Sequence, residues 1–325
     1  MTNPEARPRE IVCAGAPAPD GIEILQPRDV PLGGPRAMRV RRTLPQRQRS
    51  LIGAWCFADH YGPQDVGESG GMNVPVHPHT GLQTVSWLFA GEIEHRDSAG
   101  NEALVRPGEL NLMTAGSGIS HSERSTRTAR VLHGVQLWVA LPAAARFVER
   151  RFDHYAPPVL TGDGWSGQVF LGGLLGSTSP VRTWTPLLGA ELRLDAGTAV
   201  PLEVDPSFEH GVLVDAGSVH VGGREVTAGQ LAYVPVGADV LTLRCGPDPT
   251  RLVLLGGPPL REQIVMWWNF VGRSHDEIVA YRRAWQAEIE GADVGERPMF
   301  GIPASDPEPP LPAPVLPNAR ITPRG

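Results

Sequence analysis

The sequence predicts an all-β protein in which two barrels follow one another along the chain, with a short helix and a proline-rich tail at the C-terminal end. Three observations lead to this prediction. The 325 residues include 38 glycines and 33 prolines, which interrupt the chain too often for a helical protein. The apolar runs between these residues are short. The turn Val105–Glu109 also resembles Val226–Gln230, which indicates an internal duplication of one barrel.

The first predicted barrel occupies residues 21–145, after an N-terminal extension of residues 1–20. Thr84–Phe89 partly alternates between apolar and polar residues, and Gly91 ends this strand. Asp97–Asn101 has the composition of a hairpin turn. Further strands are predicted at Glu92–His95, Ala103–Val105, Leu110–Thr114 and Val131–Leu141. This order is typical of a small antiparallel barrel.

The second predicted barrel occupies residues 146–290, and the same alternation of strands and turns returns in it. Its strands are predicted at Leu187–Leu194, Gly211–Val214, Ser218–Val221, Gln230–Pro235, Val240–Leu243 and Leu252–Leu255. Ser274 is predicted to cap one helix, because Glu277 follows three residues later and an apolar pattern comes after it. Residues 291–325 are rich in proline and are predicted to form an extended strap or a mobile tail.

Composition and charge exclude several functional classes. A hydrophobic content of 41% argues against wholesale disorder, and a net charge of −6 gives no electrostatic footprint for nucleic-acid binding. The only locally basic stretch, Arg36–Arg49, is predicted to be a solvated strand and turn. Three widely spaced cysteines, Cys13, Cys56 and Cys245, argue against a disulfide framework and for a reducing compartment.

No segment is predicted to direct the chain into or across a membrane. Met1–Asp20 lacks the continuous apolar segment of a signal peptide. The longest apolar stretch, Val131–Val148, is interrupted by polar residues and proline, so it is not expected to span a bilayer. We therefore expect a soluble cytoplasmic protein, and a monomer.

Two short polar strings are the strongest functional signal. His77-Pro78-His79 and His121-Ser122-Glu123 each place two potential metal ligands two residues apart, and on a strand such residues project from the same face. If the two strands are neighbours, three imidazoles and one carboxylate converge, a donor set that suits a redox-active divalent metal. The remaining histidines lack such a partner and are predicted to be structural or solvated, with His60 ordering a loop.

The glycines around these strings resemble the two cupin motifs, G-x5-H-x-H and P-x-G-x2-H. Gly71 stands six residues before His77, and Gly116 and Gly118 precede His121, where they would let backbone pass close to a metal pocket. Longer strings are similar to the signature of the pirin family. They are Ala58–Pro63, His77–Gly81, Gly91–Ser98, Arg106–Glu109, Met113–Glu123 and Ile264–Val271.

The resemblance to pirins implies a bicupin of two jelly-roll-like barrels, in which only the N-terminal barrel binds metal. It implies one divalent ion, typically Fe(II), held by His77, His79, His121 and Glu123, with Mn, Co, Ni, Cu or Zn as alternatives. The second barrel has no H-x-H string, and no metal is expected there. Thr80 and Gln83 stand where the family pattern has Arg and Glu, which leaves Glu123 as the one carboxylate of the predicted ligand set.

Two functions from different classes follow from the resemblance. One is a quercetin 2,3-dioxygenase, in which Glu123 takes a proton from an aromatic or enolic substrate that then reacts with O2. The other is a regulatory protein whose iron oxidation state alters a surface that binds a transcription factor or a metabolic enzyme. That surface would be Arg36–Arg49 or the proline-rich tail. An inert remnant barrel is disfavoured because both ligand pairs are intact.

Overall fold

The computed structural model describes residues 11–13, 21–32, 38–69, 71–292, 295, 298–304 and 306–317. In this part of the chain, strands account for nearly all regular structure, so the predicted all-β class is confirmed. The first half contains β1 (Ile11–Cys13), β2 (Glu23–Leu25), β3 (Arg28–Leu32), β4 (Met38–Leu44), β5 (Trp55–Asp65), α1 (Val66–Ser69), β6 (Asn73–His79), β7 (Leu82–Ala90), β8 (Ile93–Asp97), β9 (Glu102–Val105), β10 (Leu110–Thr114), β11 (Ile119–Ser125), β12 (Val131–Ala140) and β13 (Arg151–Tyr155).

The second half repeats this pattern and ends in the predicted helix. It contains β14 (Leu160–Gly162), β15 (Trp165–Leu171), β16 (Gly173–Leu174), β17 (Ser177–Thr178), β18 (Leu188–Leu194), β19 (Ala199–Glu203), β20 (Glu209–Ala216), β21 (Ser218–Val221), β22 (Arg224–Thr227), β23 (Leu231–Val234), β24 (Val240–Cys245), β25 (Thr250–Gly257), β26 (Ile264–Trp267), β27 (Phe270–Gly272) and α2 (His275–Ile289). Ser274 caps α2, since its hydroxyl oxygen accepts a hydrogen bond from the Glu277 amide.

Each barrel is made of a seven-stranded and a four-stranded antiparallel sheet. The first barrel has the orders β13-β10-β7-β12-β5-β4-β3 and β6-β11-β8-β9, and the second has β14-β15-β18-β25-β20-β23-β2 and β19-β24-β21-β22. The two four-stranded sheets have the same strand order when strands are counted along each barrel, and the strand orders of the two seven-stranded sheets agree over most of their length. The structure therefore supports the internal duplication that the repeated turn predicted.

The chain crosses between the barrels near both ends. The short strand β2 pairs with β23, so residues 23–25 extend a sheet of the second barrel. In the opposite direction, β27 approaches the first barrel through a bridge between Phe270 and Thr80. Aromatic residues of β26, β27 and α2 pack against Val76 of β6 in one apolar cluster. The C-terminal elements therefore support the strand that carries His77 and His79.

An apolar core shared by both barrels joins them. Trp55, Trp87 and Trp138 of the first barrel belong to the same buried cluster as Phe170 and Leu255 of the second. The Trp87 ring stacks on Phe170 with 4.6 Å between centroids. Because aromatic side chains bury large apolar areas, this interface resembles a domain core more than a contact between mobile units.

Two arginines of the basic stretch Arg36–Arg49 are not solvated as its composition predicted, whereas Arg47 is exposed. Within its described residues, Arg42 and Arg49 are only 2% and 1% exposed. Arg42 forms a two-pronged ion pair with Asp59, at 2.7 and 2.8 Å, and Arg49 pairs with Glu23 while its guanidinium lies over the Tyr233 ring. Buried arginines need such partners, and the partners lie elsewhere in the chain.

Neither helix in the described part of the chain has both the length and the apolar character that crossing a bilayer requires.

Candidate metal centre

The two predicted ligand pairs lie on neighbouring antiparallel strands. In the register of β6 and β11, His77 is opposite His121 and His79 is opposite Ile119. The register shifts between His121 and Glu123, where β11 carries a bulge. All four predicted side chains are buried. The ligand atoms of His77, His79 and His121 lie within 4.8 Å of one another, so this triad could hold a metal ion.

Hydrogen bonds from the far side of two rings fix which nitrogens face the centre. Nδ1 of His77 donates to the Pro75 carbonyl oxygen at 2.9 Å, and Nδ1 of His79 donates to the Asn269 carbonyl oxygen at 3.2 Å. A carbonyl can only accept, so in the neutral rings Nε2 carries the lone pair. This is the usual way in which proteins orient a metal-binding imidazole.

The distances between these nitrogens fit a shared cation. Nε2 of His79 lies 3.0 Å from Nε2 of His121. Two nitrogens bound to neighbouring positions of one ion at about 2.1 Å would have about this separation. Nε2 of His77 is buried and has no hydrogen-bond partner among the described residues. An unsatisfied buried lone pair is costly, and a cation at this point would satisfy it.

Burial also sets the protonation of the imidazoles. It lowers the pKa of His77 to about 3, and it lowers the pKa of His79 and His121 well below the usual value. For Glu123, burial acts to raise the pKa, but the charges and hydrogen bonds around it lower the pKa overall. Near neutral pH the site therefore offers neutral imidazoles and a carboxylate, which are the forms that bind divalent transition metals.

A fourth histidine that the sequence analysis had set aside belongs to the same cluster. His95 lies on β8, opposite Glu123 of β11, and is 3% exposed. Its Nδ1 is 3.4 Å from Nδ1 of His121, and its Nε2 is 3.3 Å from the Asp97 carboxylate. His95, His121 and Glu123 form a second group with ligand atoms within 4.8 Å. His95 belongs to this cluster because β8 pairs with β11, and the spacing of residues within either strand does not reveal that contact.

Glu123 is connected to a polar group on the opposite sheet. The Ser86 hydroxyl lies 3.2 Å from Oε1 of Glu123 and 2.9 Å from Oε1 of Gln136. Ser86 and Gln136 are directly opposite in the register of β7 and β12. The single hydroxyl proton can be donated to only one of these oxygens at a time. Ser86 therefore links the predicted catalytic carboxylate to the wall of the barrel.

Three further polar atoms inside the first barrel have no partner among the described residues. They are Oη of Tyr61, Nε2 of Gln136 and Nε1 of Trp138, all buried. The strand register places Tyr61 opposite Gly134, two residues before Gln136, and Trp138 packs edge-on against His79 with 5.2 Å between centroids. Alternation along β12 puts 134, 136 and 138 on one face. Buried polar atoms without partners are uncommon in folded proteins, and a bound ligand is one explanation for them.

The two departures from the pirin pattern do not face the histidine cluster. The Thr80 hydroxyl donates to the Val271 carbonyl oxygen at 3.3 Å, and Gln83 donates to the Thr114 hydroxyl at 2.9 Å. Gln83 lies three residues before Ser86 on β7, hence on the opposite face of the strand. The structure brings His77, His79 and His121 together whatever stands at these two positions, whereas Glu123 is grouped with His95 and His121 instead.

The glycines before His121 serve a different purpose from the predicted one. A Cβ at Gly116 would clash with the Val148 carbonyl oxygen, and a Cβ at Gly118 would lie 2.7 Å from the Met299 carbonyl oxygen. Gly116 also has a φ of +54°, which favours glycine. Both glycines therefore allow the backbone of Val148 and Met299 to approach closely, and neither opens space for a metal.

The proline-rich tail forms a strap along the outside of the ligand-bearing sheet. Within its described part, the Leu311 amide donates to the Val76 carbonyl oxygen at 2.8 Å, and the Ser120 hydroxyl donates to the Gly301 carbonyl oxygen at 2.6 Å. Arg124 pairs with Asp306. Side chains at 120 and 124 alternate with those at 121 and 123 along β11, so the strap packs behind the ligands.

In the second barrel the corresponding strand pair is filled with aliphatic side chains. β19 pairs with β24, and Leu202 is opposite Leu241 in that register. Val200, Leu202, Leu241 and Leu243 are buried in the second barrel's core. Glu203 at the end of β19 is exposed.

A second histidine cluster lies between the barrels. His60 of β5 and His133 of β12 both contact Oδ1 of Asp215 from β20, at 2.6 and 2.5 Å. Arg251 donates to Oδ2 of Asp215 at 2.6 Å. His60 thus lies in a strand and not in the loop that the sequence predicted. These groups could also hold a metal, but a guanidinium occupies the second carboxylate oxygen, and an ion pair explains the contacts better.

Comparisons with known proteins agree with this architecture. The family model described as Pirin matches residues 37–139, and the one described as Pirin C-terminal cupin domain matches residues 189–289. A Pseudomonas aeruginosa protein named "Putative quercetin 2,3-dioxygenase" is 43% identical over 280 residues, which cover 85% of this chain and 88% of that protein. A pirin-like protein of Caulobacter vibrioides is 35% identical, covering 79% and 92%. The crystal structure of a quercetin 2,3-dioxygenase from Acinetobacter baumannii superposes with a TM-score of 0.85 at 36% identity, covering 94% and 98%.

Proposed function

The chain belongs to the pirin family of bicupins, and from that premise we propose that it is a metal-dependent dioxygenase of the quercetin 2,3-dioxygenase type. The observation that carries the proposal is the buried cluster of His77, His79 and His121, whose ligand atoms lie within 4.8 Å of one another, and which shares His121 with a second group that contains Glu123. A relative at 43% identity and a structure at 36% identity bear names with this activity, which supports the same reaction class.

The proposed substrate is a flavonol or a related enol. A divalent metal, with Fe(II) as the proposed ion, would supply Lewis acidity and redox chemistry toward O2 when bound. The protein residues would bind and orient the substrate and move one proton. In the complete reaction, both atoms of O2 enter the depside that forms when the central ring of the flavonol opens, and one ring carbon leaves as carbon monoxide.

Glu123 is the proposed proton acceptor. Its lowered pKa keeps it ionised near neutral pH, and an ionised carboxylate can take the proton of the 3-hydroxyl group. The Ser86 hydroxyl, 3.2 Å from Oε1, would hold the carboxylate in orientation before and after the transfer. Transfer of this proton to Glu123 would leave the 3-oxygen of the substrate as an anion, and its added electron density would favour reaction with O2.

The unpartnered polar atoms would position the substrate. Tyr61 Oη and Gln136 Nε2 are buried donors without partners among the described residues, and a flavonol carries hydroxyl and carbonyl oxygens that would accept from them. Trp138, which stacks on Phe57 with 4.1 Å between centroids, would offer a flat apolar wall to an aromatic ring.

The test uses full-length protein loaded anaerobically with Fe(II) and mixed with quercetin in air. Loss of flavonol absorbance together with release of carbon monoxide would support the proposal. His121→Ala is the variant that should lose both, and His220→Ala is the matched control, because His220 lies on β21 of the second barrel outside both histidine clusters. Equal rates in the His121→Ala variant and the unmodified protein would mean nonspecific oxidation and would reject the enzyme.

The regulatory function remains the competing proposal. Its predicted contact surfaces are less available than the sequence indicated, because Arg42 and Arg49 are buried and the described part of the tail packs on the protein. Absence of turnover, combined with binding to a protein partner that depends on the iron oxidation state, would favour it over the dioxygenase.

A further inference from the structure

A third pair of polar side chains lies next to the two predicted ligand pairs. His95 and Asp97 are two residues apart on β8, so both project from the same face of this strand. In the register of β8 and β11, Asp97 is opposite His121 and His95 is opposite Glu123. His95 is 3% exposed and Asp97 is 2% exposed. The reaction proposed above uses neither of them.

Hydrogen-bond donors surround the Asp97 carboxylate. Its Oδ1 accepts from the Ala99 amide at 2.9 Å and from the Asn101 amide at 3.1 Å, and the Asn101 side-chain amide donates to both oxygens at 3.0 Å. Oδ2 lies 3.3 Å from Nε2 of His95. An ionised carboxylate has no proton to donate, so the proton of this contact belongs to Nε2 of His95. The turn Asp97–Asn101 therefore fixes the tautomer of a buried histidine.

The proton on His95 decides which nitrogen of His121 is protonated. With its proton on Nε2, a neutral His95 ring presents a lone pair at Nδ1. That lone pair lies 3.4 Å from Nδ1 of His121, so it can accept an N–H from this atom. His121 then carries its proton on Nδ1 and its lone pair on Nε2. A backbone carbonyl has the same effect on each of the other two histidines of the triad.

These tautomers leave two lone pairs facing each other. Nε2 of His121 is 3.0 Å from Nε2 of His79, and His79 donates its proton from Nδ1 to the Asn269 carbonyl oxygen. Neither Nε2 can then donate to the other, and two buried lone pairs at this distance are unfavourable. A cation bound by both nitrogens would remove this cost. The tautomer of His121 thus favours the metal-bound state of the triad.

The same contacts offer a second arrangement, in which His95 is itself a ligand. His95, His121 and Glu123 have ligand atoms within 4.8 Å of one another. A neutral His121 has one lone pair, so it can serve either this group or the triad, but not both. An ion in the second group would leave the buried Nε2 of His77 without a partner among the described residues. The triad is therefore the better position for the ion.

We propose that His95 and Asp97 are positioning residues, which hold the proton of His121 on Nδ1 and so direct its Nε2 to the metal. His95 is then a partner of a ligand and not a ligand. Asp97 holds the His95 ring, and Phe152 packs against that ring with 4.8 Å between centroids. This role rests on the metal site of the proposed function, but not on the reaction that is catalysed there.

The test is nitrogen NMR of the full chain, labelled at the histidine nitrogens and loaded with Zn(II), which is diamagnetic. We expect His121 to show a zinc-bound Nε2 and a protonated Nδ1, and His95 to show a protonated Nε2 and a metal-free Nδ1. A zinc-bound nitrogen on His95, or a proton on Nε2 of His121, would overturn the proposal. Failure to bind Zn(II) would overturn both this role and the metal-dependent function. The expected tautomers without quercetin turnover by the iron-loaded protein would support this role and reject the dioxygenase alone.

Two variants of His95 separate hydrogen bonding from packing. Leu and Asn side chains have similar shapes, but only Asn has an oxygen that can accept near the position of Nδ1. His95→Leu should weaken Zn(II) binding about 10- to 100-fold in competition with a chelator, and His95→Asn should recover most of that loss. His220→Leu, on β21 of the second barrel, is the matched control and should have no effect.

Equal losses of Zn(II) affinity in the two His95 variants would overturn the proposal, because a ligand or a packing residue would give that result. If neither variant folds, the tautomers of the unmodified protein still decide the question.

Discussion

Arg124 and Asp306 form a two-pronged ion pair, with Nη1–Oδ2 and Nη2–Oδ1 distances of 2.7 Å. Arg124 directly follows Glu123 on β11, and Asp306 belongs to the C-terminal strap. The Asp306 side chain is only 2% exposed. This pair therefore ties the strand that carries two predicted metal ligands to residues about 180 positions further along the chain. The strap therefore helps to hold β11 of the candidate metal site in position.

Removing the charge of Asp306 should weaken this support. Asp306→Asn is expected to lower the free energy of unfolding by about 1–3 kcal/mol, because a largely buried charge-assisted pair is lost. It should also speed the loss of bound metal to a chelator. Urea unfolding and chelator kinetics measure the two effects. Asp153→Asn is the control, since its partner Arg151 is 56% exposed, and it should cost less than about 1 kcal/mol. Similar costs for the two variants would contradict a supporting role for the strap.

Ser86→Ala should separate orientation of Glu123 from metal binding. The variant removes the hydroxyl that lies between Glu123 and Gln136 but none of the predicted ligands. We expect turnover of the iron-loaded enzyme to fall about 10- to 100-fold, while the metal-to-protein ratio measured by elemental analysis stays the same. Thr84→Ser, two residues earlier on the same face of β7, is the control. Unchanged turnover in Ser86→Ala would show that Glu123 does not depend on this contact.

Asp215→Ala should destabilise the junction of the two barrels. The carboxylate neutralises Arg251 and accepts from His60 and His133. Burial acts to raise its pKa, but the hydrogen bonds and charges of the two histidines hold it far below the usual value. Truncation leaves a guanidinium and two imidazoles without their acceptor, at a cost of about 3–5 kcal/mol. Differential scanning calorimetry on the metal-free protein would measure it. The exposed Asp163→Asn change should leave the melting temperature nearly unchanged, and a comparable loss there would refute the assignment.

The lowered pKa of His210 predicts a specific dependence of stability on pH. Its pKa is about 4 in the folded protein and about 6.5 in the unfolded chain, so the unfolded chain binds more protons between these values. Stability is therefore lost as pH falls from about 6.5 towards 4. Between pH 7 and pH 5, His210 should account for about 2 kcal/mol of this loss. In urea titrations of metal-free protein, His210→Leu should be less sensitive to acid than the unmodified chain by that amount. Parallel pH profiles would contradict the shift.

The sequence was enough to predict most strands and the two candidate ligand pairs. Leu110–Thr114 and Ser218–Val221 have the predicted bounds, and Ser274 caps the helix as predicted. His77 with His79, and His121 with Glu123, could be found because residues two apart share a face of a strand. That relationship is local, so it can be deduced without knowing which strands are neighbours.

The tertiary structure alone decided which residues surround those ligands. His95 joins the cluster through the pairing of β8 with β11, and Tyr61, Ser86 and Gln136 come from the opposite sheet. The burial of Arg42 and Arg49 depended on Asp59 and Glu23, acceptors that composition cannot assign to them. Likewise, nothing local shows that His210 is buried or that the tail packs behind β11. The physical reason is that burial and pairing depend on contacts between distant segments, whereas the period of a strand depends only on neighbouring residues.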